Sequence, residues 1–164
     1  MKVNGEHYHS IWYDKNLDQV KIIDQRLLPY EFKILVIETL EDFENAIREM
    51  AVRGAPLIGA TAAFGLARQM LRDPSNKNLD LSWDRLNETR PTAINLKWAL
   101  DRCRNHLLKT TLKDRGYEAM QLAEKISNED VEINKNIGIN GLEIIRSIAK
   151  KKPAGEPIRL LTHC

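Results

Sequence analysis

The segment Leu57 to Met70 has apolar or small side chains at nearly every position, and this feature limits the possible folds more than any other. A helix that is apolar on nearly all sides is stable in water only when other elements surround it. Its glycines and alanines also permit the backbone of neighbouring elements to approach closely. The sequence therefore predicts a central buried helix, around which the rest of the chain is arranged.

Four residues, Arg53-Gly54-Ala55-Pro56, precede this helix and predict where it begins. Proline suits the first helical position, and Ala55 is held extended because a proline follows it. We therefore expect Ala55 to be the N-cap, and an alanine has no side-chain oxygen that could bond the first backbone amides. The N–H groups expected to stay free are those of Leu57, Ile58 and Gly59. Free amides beside Arg53 favour an anion site, although a core helix with an irregular start accounts for the same four residues.

The composition is that of an ordinary globular protein, with 43% hydrophobic and 29% charged residues in a chain of 164. The net charge is only +2, and the basic residues are interleaved with acidic ones, which argues against a nucleic-acid-binding surface. No apolar run reaches the length of a membrane span. The two cysteines, Cys103 and Cys164, have neither the number nor the spacing of a disulfide framework or a metal site. We therefore expect a reducing, cytoplasmic compartment.

Three short stretches near the amino end are rich in β-branched and aromatic residues, as strands are. They are Ser10 to Asp14, Gln19 to Asp24 and Lys33 to Glu38. The sequence predicts a small antiparallel sheet here, followed by a helical bundle, and therefore an α+β fold. His7 and His9 precede the sheet without a third ligand nearby, which favours a surface position over a metal site.

Capping residues and apolar spacing predict the helices on either side of the central one. Thr39 with Asp42 resembles a capping box and starts the first helix. The apolar stripe of that helix is Leu40, Phe43, Ile47 and Met50. After the central helix and a polar loop, Ser82 is the expected cap of a short helix from Trp83 to Glu88.

The second half of the chain has the pattern of three more helices. Thr92 is the expected cap of the first, on whose apolar stripe Cys103 is most simply a buried, inert residue. The other two are separated at Ser127-Asn128, and the last ends in Lys150-Lys151-Lys152, which suits the negative end of a helix. A close contact with another helix is expected at two positions that are poor helix formers, Gly138 and Gly141.

The last residues have the pattern of a linker followed by a buried strand. Residues 151–157 are rich in proline and glycine, and Ile158 to Cys164 is an apolar stretch typical of a strand. A strand after a helix and a linker ordinarily opens a new α/β domain. We therefore expect residues 1–150 to form one domain, 151–157 a linker and 158–164 the first strand of a second domain, so that this chain is a fragment.

Three motifs occur along the chain. They are Arg53-Gly54-Ala55-Pro56 with Ile58-Gly59 and Ala62-Ala63-Phe64-Gly65, then Arg90-Pro91-Thr92-Ala93-Ile94-Asn95-Leu96 with Trp98-Ala99, then Leu161-Thr162-His163-Cys164. In this order and spacing they closely resemble the methylthioribose-1-phosphate isomerase family of methionine salvage. Its superfamily includes ribose-1,5-bisphosphate isomerase and the regulatory subunits of translation initiation factor 2B. The resemblance implies a sheet-and-helix domain, then a Rossmann-like domain, in dimeric subunits.

The resemblance also implies roles for individual residues. Arg53, Gly54, Ala55 and Arg90 match substrate-binding positions, and Cys164 matches the active-site cysteine. The family's catalytic aspartate and further substrate ligands lie in the second domain, so this chain alone is expected to be inactive. Neither a metal nor an organic cofactor is implied. The expected partners are a sugar phosphate, the carboxyl-terminal domain and a second subunit, with no nucleic acid and no membrane.

The implied reaction converts methylthioribose 1-phosphate to methylthioribulose 1-phosphate, an aldose–ketose isomerisation. An arginine binds phosphate through two parallel hydrogen bonds. Because Arg53 and Arg90 each lie at an extended position shortly before a helix, we expect both to face one anion site. Two alternatives stay open. One is a non-enzymatic regulatory or assembly module like the initiation factor 2B subunits, and the other is a ribose-1,5-bisphosphate isomerase.

Overall fold

The computed structural model describes residues 2–153 and 155–161 of the chain. They form two units, an amino-terminal one up to Asn128 and a carboxyl-terminal one from Glu129. The hydrophobic core and the strands of the described chain belong to the amino-terminal unit. The fold is therefore α+β, as the sequence predicts. No helix within the described ranges is both long enough and apolar enough to cross a membrane.

A hairpin of strands β1 (Lys2–Val3) and β2 (Glu6–His7) lies at the amino end. Its turn is Asn4-Gly5, in which both residues have positive φ angles, 50° and 88°. Asn-Gly favours two-residue hairpin turns because both residues tolerate the left-handed conformation. Two-residue strands are too short to show an alternating pattern, so this dipeptide is the one sequence signal for the hairpin, and the predicted sheet omits it.

Three strands form the antiparallel sheet that the sequence predicts, with β4 between its two neighbours. They are β3 (Ile11–Asp14), β4 (Gln19–Ile23) and β5 (Ile34–Ile37). The register pairs Ile11 with Ile22 and Ile23 with Ile34. Val20 and Ile22 of the central strand are fully buried in the core, where Ile11 of β3 and Ile37 of β5 join them, so all three strands contribute to it.

Helix α1 (Leu40–Arg48) begins with the predicted capping box. The Thr39 hydroxyl accepts a hydrogen bond from the Asp42 N–H at 3.1 Å, and the Asp42 carboxylate accepts one from the Thr39 N–H at 2.8 Å. These reciprocal bonds satisfy two amides at the helix start. Met50, expected on the apolar stripe, is instead 49% exposed, because it follows the helix end with a φ of 55°.

Helix α2 (Ala55–Arg72) is the central buried helix that the sequence predicts, and ten consecutive residues in its middle are buried. A Cβ atom built at Gly65 would lie 2.9 Å from Cγ of Phe43, and one built at Gly59 would lie 2.7 Å from the carbonyl oxygen of Asn95. Real Cβ atoms essentially never approach other heavy atoms so closely. The glycines of α2 therefore set how near its neighbours lie.

Helix α3 (Asn76–Asn87) begins earlier than the sequence predicts. Its N-cap is Ser75, whose hydroxyl accepts a hydrogen bond from the Asn78 N–H at 3.2 Å. The predicted short helix from Trp83 to Glu88 with Ser82 as its cap is therefore wrong. Ser82 is buried inside the helix, and the polar residues expected to form a loop supply the cap and the first turn instead.

The last two helices differ from the sequence prediction in two respects. One is the residue at which α4 begins, and the other is a predicted break that α5 does not have. Helix α4 (Ile94–Leu107) has Ala93, not Thr92, as its N-cap, because Thr92 lies in a turn and Ala93 after it is extended, with a φ of −80° and a ψ of 95°. Helix α5 (Leu112–Ala149) is continuous for 38 residues and passes through Ser127-Asn128, where two helices were expected. Serine and asparagine cost less than about 1 kcal/mol each in a helix interior, too little to end a helix whose remaining residues favour it.

The chain after α5 has no helix or strand at the residues that the structure describes. Residues Ile158 to Leu161 pair with no other strand in the described chain, and the side chains of Leu160 and Leu161 are exposed. Thr162 to Cys164 lie outside the described residues. The strand expected at residues 158–164 therefore stays a prediction.

The contact of Gly59 with Asn95 predicts an unusual result for a glycine-to-alanine change in a helix. Alanine is normally the better helix former by up to about 1 kcal/mol. At position 59 the added methyl group would meet a backbone carbonyl and push α4 away, so we expect Gly59→Ala to lower the free energy of unfolding by about 1–3 kcal/mol. Urea denaturation of the 164-residue chain measures this.

The matched control is Gly138→Ala, the same change in α5 at a position with no described atom within 4 Å of the new methyl group. We expect it to leave the free energy of unfolding unchanged or to raise it. A Gly59→Ala protein as stable as the unsubstituted chain would show that α2 and α4 are not in close backbone contact.

Candidate functional site

The start of α2 differs by one residue from the predicted start. Its N-cap is Gly54, Ala55 is the first helical residue and Pro56 the second. The Gly54 carbonyl accepts the first helical hydrogen bond, from the Ile58 N–H at 3.0 Å. Gly54 has a φ of 98°, a left-handed conformation that favours glycine. A glycine that turns the chain into the helix therefore replaces the expected alanine cap.

This start leaves backbone amides free. Because Ile58 bonds to Gly54, the Ile58 N–H is not one of the open groups, contrary to the expectation. The N–H groups that bond to no acceptor in the described chain are those of Gly54, Ala55 and Leu57. The first turn contains no acidic residue and no side-chain cap, so nothing in it neutralises the positive end of the helix dipole. The arrangement is that of an anion site.

Gln25 holds Arg53 beside this helix start. The Arg53 N–H donates to Oε1 of Gln25 at 2.9 Å, and the Arg53 guanidinium donates to the Gln25 carbonyl oxygen at 2.7 Å. The Gln25 N–H in turn donates to the carbonyl oxygen of Ala51 at 2.9 Å. No local sequence pattern marks Gln25, because its contact with Arg53 spans 28 positions.

An ion pair between the buried Asp24 and the partly exposed Arg26 flanks Gln25 on both sides along the chain. Asp24 is 3% exposed, and its carboxylate accepts two hydrogen bonds from the Arg26 guanidinium, at 2.8 and 2.6 Å. These bonds hold the pKa of Asp24 below its usual value. The paired side chains fix the backbone around Gln25, and through it the position of Arg53.

Arg90 lies before the second helix start of this kind. It is half-buried, and its guanidinium makes no hydrogen bond or ion pair with other residues in the described ranges. Its carbonyl oxygen accepts a bond from the Ala93 N–H at 2.9 Å, which closes a turn into α4. Like α2, α4 has neither a side-chain cap nor an acidic residue in its first turn.

The two uncapped helix starts lie near each other. The contact point is Gly59 with Asn95. Gly59 is one turn beyond Ala55, the first residue of α2, and Asn95 is the second residue of α4. One helical turn rises about 5.4 Å, so both amino ends lie within about a turn of one contact. Residues 53–55 and 90, predicted from two separate motifs, thus belong to neighbouring helix starts.

The structure describes only one of the two cysteines, Cys103. Cys103 is fully buried on the apolar side of α4, as the sequence predicts, and burial raises the pKa of its thiol to about 12. Cys164, the expected active-site cysteine, lies outside the described residues. Among the residues that the structure does describe, no group of three or more His, Cys, Asp or Glu side chains could hold a metal ion.

Comparison with known proteins connects this geometry to a family. The model of the initiation factor 2 subunit family matches residues 51–164. A curated methylthioribose-1-phosphate isomerase of Brucella anthropi is 54% identical over all 164 residues, which are 45% of its own length. The isomerase of Rhizobium meliloti is 53% identical and that of Escherichia coli 46%, with similar coverage. The chain thus spans less than half the length of these curated relatives.

Two solved structures share the fold. A crystal structure of 5-methylthioribose 1-phosphate isomerase from Pyrococcus horikoshii matches with a TM-score of 0.74 and 38% identity, over 82% of this chain and 40% of that one. The delta subunit of translation initiation factor eIF-2B from A. fulgidus matches with a TM-score of 0.68 and 35% identity, over 75% of this chain and 37% of that one.

The burial of Cys103 predicts that this thiol is inert in the folded protein. With a pKa of about 12, less than roughly one thiol in a thousand is ionised at pH 8, and only the thiolate reacts. In a Cys164→Ser variant we expect no reaction with a disulfide reagent such as DTNB at pH 8, and one thiol per chain after unfolding in guanidinium chloride. Complete reaction of the folded variant would contradict the buried position.

Proposed function

Because the chain belongs to the initiation factor 2 subunit family, we propose that it is the amino-terminal part of a methylthioribose-1-phosphate isomerase. The observation that carries the proposal is the 54% identity along the whole chain to a relative of that name. The proposed reaction converts methylthioribose 1-phosphate to methylthioribulose 1-phosphate. The free amides at the start of α2 and the unpaired Arg90 support it, because a sugar phosphate needs an anion site.

The proposed binding site uses backbone and side chains together. The N–H groups of Gly54 and Ala55 would donate to phosphate oxygens, as amides at helix starts do. Arg53 and Arg90 would add guanidinium groups, which bind phosphate through paired hydrogen bonds. Gln25 is a positioning residue, since it holds Arg53 through two hydrogen bonds.

The chemistry requires more than these residues. Phosphate on C1 keeps the sugar ring closed, so the site must protonate the ring oxygen and then move hydrogen from C2 to C1. A carboxylic acid in apolar surroundings suits the first step, and by resemblance it comes from the second domain. We propose Cys164 for the second step, either as the base that takes the C2 proton or as a residue that shapes the site for hydride transfer.

The organisation of the whole protein follows from the same resemblance. We propose that residues 1–150 form the first domain, 151–157 the linker and 158–164 the first strand of a Rossmann-like domain. The proposed protein is a cytoplasmic homodimer, with neither nucleic acid nor membrane as a partner. The length of the curated relatives supports a second domain, because they extend well past the part that this chain matches.

A regulatory module is the second candidate, favoured by the likeness to the eIF-2B delta subunit. A scaffold has no need for two uncapped helix starts with arginines beside them. The two candidates differ in one measurable property, which is turnover of methylthioribose 1-phosphate by the full-length protein.

We expect the 164-residue chain alone to show no turnover of methylthioribose 1-phosphate. Loss of a general acid alone slows an enzyme about 10²- to 10⁴-fold, and loss of a closed site slows it further. The protein encoded by the complete gene is the positive control. Turnover by the chain alone, well above a buffer blank, would place the complete active site within these residues.

Arg90→Ala tests the binding site in the full-length protein. We expect it to weaken binding of the sugar phosphate by about 1.5–3 kcal/mol, the usual cost of losing a hydrogen bond to a charged group. Isothermal titration calorimetry measures the dissociation constant. The matched control is Arg104→Ala on α4, the helix that follows Arg90, since Arg104 instead pairs with Asp80. If both variants bind as tightly as the unsubstituted protein, Arg90 is not part of the site.

A further inference from the structure

The carboxyl-terminal half of α5 exposes a wide apolar face. At 100° per residue, the apolar residues and glycines between Ile133 and Ala149 cluster on about half of the helix circumference. A surface helix normally covers such a face with other elements, yet the large apolar side chains here are between 41% and 64% exposed. They are Ile133, Ile137, Leu142, Ile144 and Ile148, whereas Ile139 lies on the opposite side of the helix.

Two glycines lie on this face with nothing against them. In the described chain, no atom lies within 4 Å of a Cβ built at Gly138 or Gly141. The helix contact expected at these positions is therefore not made by residues that the structure describes. Glycine weakens a helix interior, and it is useful there where another backbone approaches closely, as at Gly59. The open glycines thus mark positions suited to close packing.

The charged side chains of this half-helix lie mainly away from the apolar face. On the helical wheel, Glu132, Glu143 and Arg146 lie on the opposite side or at its edge. The face between Ile137 and Ala149 carries no charge. A partner that covers it must therefore present an apolar surface of its own, as the elements of a domain core do.

The chain after α5 offers a second unpartnered apolar element. The Lys152 ammonium bonds to the Glu156 carboxylate and, at 3.3 Å, to the Pro157 carbonyl oxygen. Residues Ile158 to Leu161 follow without regular secondary structure, and Leu160 is 72% exposed. Their backbone N–H and C=O groups pair with no strand of the described chain, so they are open to pairing in a sheet. One partner would therefore have to supply both a strand and an apolar surface.

Resting on the proposed function, we propose that the apolar face of α5 between Ile133 and Ala149 is the docking surface for the carboxyl-terminal part of the same protein. The 164 matched residues are 45% of the Brucella relative, which therefore has about 200 residues more. That length is enough for a domain with its own core. A domain that begins with the segment from Ile158 is joined to α5 by only the residues 150–157. The effective concentration of that domain at the apolar face is therefore high.

Cysteine labelling in the full-length protein tests the proposal. The test positions are Ile137→Cys and Ile144→Cys, and the matched controls are the preceding residues on the opposite side, Asn136→Cys and Glu143→Cys. All are made in a Cys164→Ser background that keeps the buried Cys103. The rate of reaction with a maleimide is compared within each pair, in the full-length protein and in the 164-residue chain.

We expect the two test cysteines to react about 100-fold more slowly than their controls in the full-length protein, because docking buries them. In the 164-residue chain the four should react at rates within about three-fold of one another. Equal rates in the full-length protein would overturn the proposal. Protection in the 164-residue chain that grows with protein concentration would overturn it too, since a second copy would then be the occupant.

A second variant keeps the test decisive if a cysteine disturbs the helix. Gly138→Leu should leave the melting temperature of the 164-residue chain unchanged or raised, and lower that of the full-length protein, because the side chain blocks close approach. An unchanged full-length melting temperature would contradict the docking. Turnover of methylthioribose 1-phosphate is measured separately, on the full-length protein with Cys164 intact: protection of the test cysteines without turnover rejects the proposed function alone, and turnover with equal labelling rates rejects the docking alone.

Discussion

The close packing of α2 against its neighbours is the constraint on which the candidate site depends. At Gly59 the backbone of α2 meets the carbonyl of Asn95, and a single methyl group would fill the space between them. This contact brings the amino ends of two helices together, and neither end has a side-chain cap. We propose that these two positive helix ends, each preceded by an arginine, form the phosphate site. The small residues of α2 therefore determine how closely the core packs and how near the starts of α2 and α4 lie to each other.

Features whose partners are close in sequence could be predicted. The capping box of Thr39 with Asp42 is a local hydrogen-bond pattern, and the burial of α2 follows from its composition alone. The continuity of α5 could not be predicted, because the Ser127-Asn128 pair only weakly disfavours a helix. The cap of α3 was assigned to Ser82 instead of Ser75 for a similar reason: several residues there can cap, and burial decides which of them do.

The candidate site likewise combines features that local sequence predicts with features that depend on distant contacts. That Arg53 and Arg90 face one anion site stays a prediction, and the start of α2 lies one residue away from the expected position. Proline restricts the residue before it, but Gly54 can adopt a φ of 98°, and this freedom moves the cap. Gln25 joins Arg53 across 28 positions, and only the folded chain brings these two residues into contact.

A crystal structure of the full-length protein with methylthioribose 1-phosphate would show where the phosphate group binds. We expect phosphate oxygens within hydrogen-bonding distance, about 3 Å, of the backbone nitrogens of Gly54 and Ala55, with the Arg90 guanidinium on the same phosphate. A phosphate group bound away from the start of α2, with these amides facing only water, would show that the two helix starts do not form the site.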